Sequence, residues 1–122
     1  NGGVILVECH LGRDSLLSFT MILNRVALST YPLSEIYNSL PKFEIVKDKV
    51  NVDGIKIDDF LSKVNNYFKE GKKNTIDGLK ITWQEKWVHL RASNTEPIVR
   101  RHAEAPIKKE AEELVLQIKS LI

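Results

Sequence analysis

From residue 42 onward the apolar positions switch between two periods, and each change of period marks an element. Phe43-Glu44-Ile45-Val46 reads as a strand continuing toward Val50 or Val52. Ile57, Phe60, Leu61, Val64 and Phe68 recur at i, i+3, i+4, i+7 and i+11, one face of a helix that Gly71 can close. Asp77-Gly78, set between Asn74-Thr75-Ile76 and Leu79-Lys80-Ile81, is a strong hairpin signal. Trp87 to Ala92 alternates, with Val88, Leu90 and Ala92 on one face and Trp87, His89 and Arg91 on the other. Extended structure resumes at Ile98 to Ala103 after a polar loop. Leu114, Val115, Ile118 and Leu121 or Ile122 then line one face of a last helix starting near Pro106. The predicted order over 42–122 is β-α-β-β-β-β-α, an α+β fold with both helices on one face of an antiparallel sheet.

The first forty residues follow a different pattern. Val4 to Val7 is a short apolar run that predicts a buried strand, and Asp14 is a suitable N-cap for a helix beginning Ser15-Leu16-Leu17. Between Leu16 and Leu28 the apolar residues cover nearly the whole circumference, so this helix calls for cover on most sides. A strand and one such helix cannot cover each other. Residues 1–30 therefore read as the tail of a preceding domain, and the start at Asn1-Gly2-Gly3, with no initiator Met, reads like a cut inside a larger chain. Residues 31–41 read as a linker with one short helix. Pro32 suits its first turn, Leu33, Ile36 and Leu40 share a side, and Pro41 marks its end.

Composition narrows the classes of function. The 122 residues are 43% hydrophobic and 28% charged, ordinary for a globular chain. No apolar run reaches the ~20 residues of a membrane span, so the sequence predicts no membrane partner. The single cysteine, Cys9, rules out an internal disulfide and suits a reducing cytoplasm. A net charge of +2 is too mild to imply nucleic acid. An anion has to be sought in a local cluster.

That cluster is Arg91-Ala92-Ser93-Asn94-Thr95-Glu96-Pro97-Ile98-Val99-Arg100. Two strand ends meet at a turn whose residues almost all form hydrogen bonds. Ser93 and Thr95 offer hydroxyls, Asn94 an amide, and the turn's N–H groups can converge on an anion. Arg91 and Arg100 flank it, each able to hold a phosphate bidentately. Glu96 is the odd member, suited to fixing an arginine or accepting a sugar hydroxyl. The competing reading is a solvated turn with surface arginines.

The string as a whole resembles the signature of the α-D-phosphohexomutases, Arg-x-Ser-(Gly/Asn)-Thr-Glu-Pro followed by Arg. It is present here without a gap as Arg91, Ser93, Asn94, Thr95, Glu96, Pro97 and Arg100. Glu104-Ala105 after the second strand and Asp77-Gly78 upstream also fit. The resemblance implies a TATA-box-binding-protein-like last domain that grips the phosphate of a hexose phosphate. The parent enzyme moves a phosphoryl group between C1 and C6 of a glucose, mannose or glucosamine phosphate. It further implies that Asn1-Gly2-Gly3 is the second half of a sugar-binding loop, which gives Asn1 a sugar-contact role. The family's phosphorylated serine and its Mg²⁺-holding Asp-x-Asp-x-Asp-Arg loop lie in earlier domains and are not found in these residues. The expectation is thus a fragment that binds without catalysing and holds neither metal nor cofactor. Mg²⁺ and the other domains would belong to the full-length enzyme. A stand-alone anion-binding, nucleic-acid-binding or interaction module on the same sheet is the alternative.

The remaining residues read plainly. His10, His89 and His102 share no ligand spacing. Strand alternation lets only one of Arg100 and Arg101 face the loop, leaving Arg101 as a solvated charge. Trp83 and Trp87 read as sheet packing and Cys9 as a plain small side chain. Lys47, Lys49, Lys69, Lys72 and Lys73 read as dispersed solvated charges.

Overall fold

The alternation after residue 42 becomes a five-stranded antiparallel sheet in the computed structural model, which describes residues 3–122. The chain divides between Pro41 and Lys42 into two units.

In the first unit the predicted strand does not form: residues 4–6 have no regular structure and a turn follows. A strand needs a partner ladder for its N–H and C=O groups, and the described residues of this unit supply none. Val7 is instead 68% exposed. Helix α1 (Ser15–Ala27) starts where the sequence places it, with the Asp14 carboxylate accepting from the Leu17 N–H at 2.9 Å. His10 Nε2 lies 3.0 Å from the same carboxylate. None of the α1 residues is buried, despite their apolar character all round. Helix α2 (Leu33–Asn38) follows Pro32, which occupies its N-cap position. No helix among the described residues is long and apolar enough to cross a membrane.

The second unit contains β1 (Glu44–Asn51), α3 (Ile57–Tyr67), β2 (Lys72–Asn74), β3 (Leu79–Thr82), β4 (Trp87–Ala92), β5 (Ile98–Ala105) and α4 (Lys108–Lys119). The strand order is β1-β5-β4-β3-β2. Helix α3 ends at Tyr67, short of Gly71, which serves the next turn with φ +101°. Leu79, Ile81, Val88, Leu90, Val99 and Ala103 from the sheet form one buried cluster with Phe60 and Val64 of α3 and Leu114, Val115 and Ile118 of α4. Helices that share one core with one set of strand positions lie on one face, as the periodicity predicts. Neither α3 nor α4 covers the other, open face of the sheet.

The β2–β3 connection is longer than a two-residue hairpin. Asn74 is the last residue of β2 and pairs with Lys80, which leaves the four residues Thr75 to Gly78 between the strands. Asn74 Oδ1 accepts from the Ile76 N–H at 2.9 Å, and Gly78 takes φ +78°. A Cβ on Gly78 would come within 2.1 Å of the Leu90 carbonyl oxygen. Glycine is required there twice over, for handedness and for space.

Candidate functional site

Strands β4 and β5 are antiparallel and in register through Arg91↔Arg100 and Ala92↔Val99. The Ser93–Pro97 loop therefore hangs from two strand ends that carry one arginine each. Val99, two positions from Arg101, is buried against the helices. Arg91 and Arg100 have the opposite parity and stand side by side on the open face. Both are exposed.

The loop is closed by the Ser93 N–H donating to the Ile98 carbonyl at 2.9 Å and the Ile98 N–H donating to the Glu96 carbonyl at 2.8 Å. The Val52 N–H, just past β1, donates to the Pro97 carbonyl at 2.9 Å, which pins the loop to a third strand. The Ser93 hydroxyl lies 3.4 Å from the Thr95 hydroxyl and 3.4 Å from the Thr95 N–H. Positive φ among the described residues is confined to Gly54, Gly71 and Gly78. Asn94 thus makes its turn without the left-handed backbone its type tolerates. Two hydroxyls, the Asn94 and Glu96 N–H groups and two guanidinium groups gather at one corner of the sheet. That donor set has no acceptor of comparable charge within the loop except Glu96.

Glu96 does not fix an arginine. The partner of Arg91 is Asp77, with Nε to Oδ1 at 3.1 Å. Sequence reasoning used Asp77-Gly78 as a turn signal and as support for the resemblance, and missed this role. The close seating of Gly78 on Leu90 brings the hairpin tip beside β4, and His89 Nε2 donates to the Asp77 carbonyl at 2.6 Å. Asp77 is held at both its backbone and its carboxylate. Because the bond uses the Arg91 Nε, the two terminal nitrogens remain for a ligand.

Arg101 is not a solvated charge. It is 1% exposed, facing α4 in the row that also holds Leu90 and Leu79. Its Nη1 donates to the Val115 carbonyl at 3.2 Å and its Nη2 to Asp48 Oδ2, while Nε is buried without a partner. The expectation went wrong because it treated both arginines of a dipeptide as surface groups. Alternation sends one to each face, and the second face is the core. The flanking Val99 and Ala103, both buried, carried that signal.

Two further cations join the open face. Lys49 pairs with Arg100 and Lys47 with His102 across β1 and β5. Residues that look dispersed along the sequence are thereby brought into adjoining rows. His102 is held below the ordinary imidazole range by burial first, then by Lys47, His89 and Arg100. Trp87 also lies on this face, its indole N–H donating to Glu104 at 2.8 Å and Lys80 Nζ 4.4 Å from its ring centre. Trp83 packs edge-on to Phe68, 5.4 Å between ring centres. Asn1 lies outside the described residues. Among the described residues no three of His, Cys, Asp and Glu come together to hold a metal ion.

Residues 44–121, from β1 through α4, match the model of the phosphoglucomutase/phosphomannomutase C-terminal domain. The chain belongs to that family. It is 33% identical over 125 residues to a phosphoglucosamine/phosphogalactosamine mutase of Sulfurisphaera tokodaii, covering 100% of this chain and 28% of the relative. Identity is 39% over 123 residues to a phosphoglucomutase/phosphomannomutase of Thermococcus kodakarensis, with 99% and 27% covered. The crystal structure of a phosphoglucomutase/phosphomannomutase family protein from Burkholderia thailandensis shares the fold. Its TM-score is 0.62 at 22% identity, over 89% of this chain and 23% of that one. The chain thus spans about a quarter of the length of the curated relatives it matches. The loop and its arginines lie within the residues matched to this C-terminal domain.

Proposed function

We propose that residues 42–122 form the phosphate-gripping domain of a cytoplasmic hexose-phosphate mutase. In this reading the longer protein moves a phosphoryl group between C1 and C6 of a glucose, mannose or glucosamine phosphate. Its other domains supply the phosphorylated serine and the Mg²⁺. Mg²⁺ would neutralise charge on the transferring group. The residues of this domain hold the phosphate that is not being transferred.

The observation that carries the reading is the register of Arg91 against Arg100 at the mouth of the Ser93–Pro97 loop. Like charges directly opposite each other on a sheet repel. Asp77 neutralises only Arg91. A phosphate lying between the two guanidinium groups removes the repulsion and can take two parallel hydrogen bonds from each. The Ser93 and Thr95 hydroxyls and the exposed Asn94 N–H then supply neutral donors to its remaining oxygens. This is positioning and charge stabilisation, the usual contribution of protein groups to phosphoryl transfer. Asn1, at the edge of a sugar-contacting loop in this reading, belongs to the sugar rather than to the phosphate.

Steady-state kinetics of the longer mutase test it. Arg91→Lys and Arg100→Ala each remove one fork in a half-desolvated cleft, a loss of about 2–4 kcal/mol, or roughly 30- to 800-fold in kcat/KM. Lys63→Gln, an exposed change on α3 away from the open face, serves as the control. Arg101 cannot serve, because its loss damages the core. Equal activity of all three variants would contradict the proposal.

A further inference from the structure

We infer that the open sheet face beside the loop carries a second anion subsite, built from Lys47 and Lys49 of β1 with Arg100 and His102 of β5, so that the domain prefers a ligand bearing two phosphate groups. This rests on the phosphate-loop reading for the first group and adds a place for the second.

The register carries the argument. Lys49, Arg100 and Arg91 are successive partners across β1, β5 and β4, and Lys47, His102 and His89 form the next row on the same face. With strands about 4.8 Å apart, the first row places three cations across roughly 10 Å. Lys47 and Lys49, two residues apart on one strand, are about 6.7 Å from each other. Directly opposed like charges cost a sheet stability, and most of these are not compensated from within. Among the described residues Lys47, Lys49 and Arg100 make no ion pair, and Arg91 alone has one, with Asp77.

The carboxylates nearby are already committed. Asp48 lies between the two lysines and lines the same depression of about 360 Å³ with Lys47, Lys49, Arg100 and His102. Its Oδ1 accepts from the Lys49 N–H at 2.7 Å, and its Oδ2 accepts from buried Arg101. Glu104, in the following row, accepts from the Trp87 indole. The depression is therefore lined by the cations Lys47, Lys49 and Arg100, by His102 and by one carboxylate, Asp48, whose two oxygens are already hydrogen-bonded. Two of its members, Arg100 and His102, are on the strand that leads out of the loop, so an anion there is adjacent to one held at Ser93–Thr95. A single phosphate can use the loop and its two arginines. A second, linked to the first, meets Lys49 and Lys47.

The test compares orthophosphate with pyrophosphate on the 122-residue chain in 0.15 M salt, by calorimetry and by amide NMR shifts. Pyrophosphate is expected to bind more than about tenfold tighter, with its extra shifts at Lys47, Lys49 and His102. In Lys47→Gln/Lys49→Gln that advantage falls to about twofold. In Lys63→Gln/Lys119→Gln, which loses the same charge from α3 and α4, it is kept. An advantage that persists in Lys47→Gln/Lys49→Gln, or falls equally in both double variants, overturns the subsite. The loop reading is judged separately by the orthophosphate shifts at Ser93, Asn94 and Thr95.

Discussion

Arg91 and Arg100 stand directly opposite each other across the β4–β5 ladder, so two guanidinium groups share one row of the open sheet face at the mouth of the loop. Among the described residues only the first is neutralised, by Asp77. The next residue along β5, Arg101, points the other way and is buried. One dipeptide thus divides its charges between an exposed outer face and a core contact that ties the sheet to α4.

That core contact makes Arg101 a stability residue. Arg101→Ala removes the bonds to Asp48 and to the Val115 carbonyl and leaves a cavity, a loss of about 2–4 kcal/mol. Asp48→Ala strips a buried guanidinium of its carboxylate, although Asp48 itself is 43% exposed. It is expected to cost about 1–3 kcal/mol, more than an ordinary surface substitution. Urea denaturation of both variants checks this. A change within 0.5 kcal/mol for Arg101→Ala would show that the guanidinium is not buried in solution.

Gly78→Ala tests the hairpin that holds Asp77. An added Cβ meets the Leu90 carbonyl oxygen at 2.1 Å in a residue already at φ +78°. Strain of this kind costs about 1–3 kcal/mol, and backbone displacement adds to it. The variant should melt lower and show altered Arg91 side-chain NMR signals, because Asp77 moves with the turn. Asp77→Ala keeps the hairpin backbone and should change the Arg91 signals with little loss of stability.

His102 supplies a pH signature. Its imidazole is depressed by burial, then by Lys47, His89 and Arg100, below the ordinary value of 6.5. The folded domain therefore binds this proton less tightly than the unfolded chain. The associated stability is complete above pH 6.5 and is lost as pH falls through the folded value. Proton NMR of the His102 ring should give a midpoint below 6.5 in the free domain, raised when phosphate is added because an adjacent anion favours the charged ring. A midpoint at or above the ordinary value in the free domain would contradict the placement of His102 among these cations.

The first unit should exchange its amides faster than the sheet. Helix α1 has no buried residue, and Leu16 is 77% exposed, so little packing opposes local opening. Asp14→Ala should speed exchange further by removing the N-cap. Acidification should do the same, since the His10 contact, and then the Leu17 N–H, hold the Asp14 carboxyl below its usual value of 3.8. Its capping is present above that value and is lost as pH falls through the depressed one. Protection of α1 equal to that of β4 and β5 in a monomer would contradict this.

Most of the second unit was legible because period and burial agree. Val88 and Leu90 alternate into the core, and Phe60 and Val64 recur at helical spacing. The loop was legible because Ser93, Asn94 and Thr95 between two arginines have little use in a core. What stayed hidden depends on pairing between distant segments. The apposition of Lys49 with Arg100 follows from β1 pairing with β5, which strand patterns alone do not specify. The bond of Arg91 to Asp77 depends on a four-residue connection where the dipeptide suggests a two-residue turn. The apolar run at Val4 to Val7 misled because a strand is a property of two segments, and no second one pairs with it among the described residues.

The central claim is that the Arg91–Arg100 corner holds the phosphate of a sugar phosphate. Titrating glucose 6-phosphate into the isotopically labelled 122-residue chain, while following backbone amide shifts, tests it most directly. The account predicts the largest saturable shifts at Ser93, Asn94 and Thr95, with Arg91 and Arg100 side-chain signals moving in step. All of them should weaken in Arg100→Ala and with added salt. Shifts confined to the helical face, or none at the loop at millimolar ligand, would contradict the account.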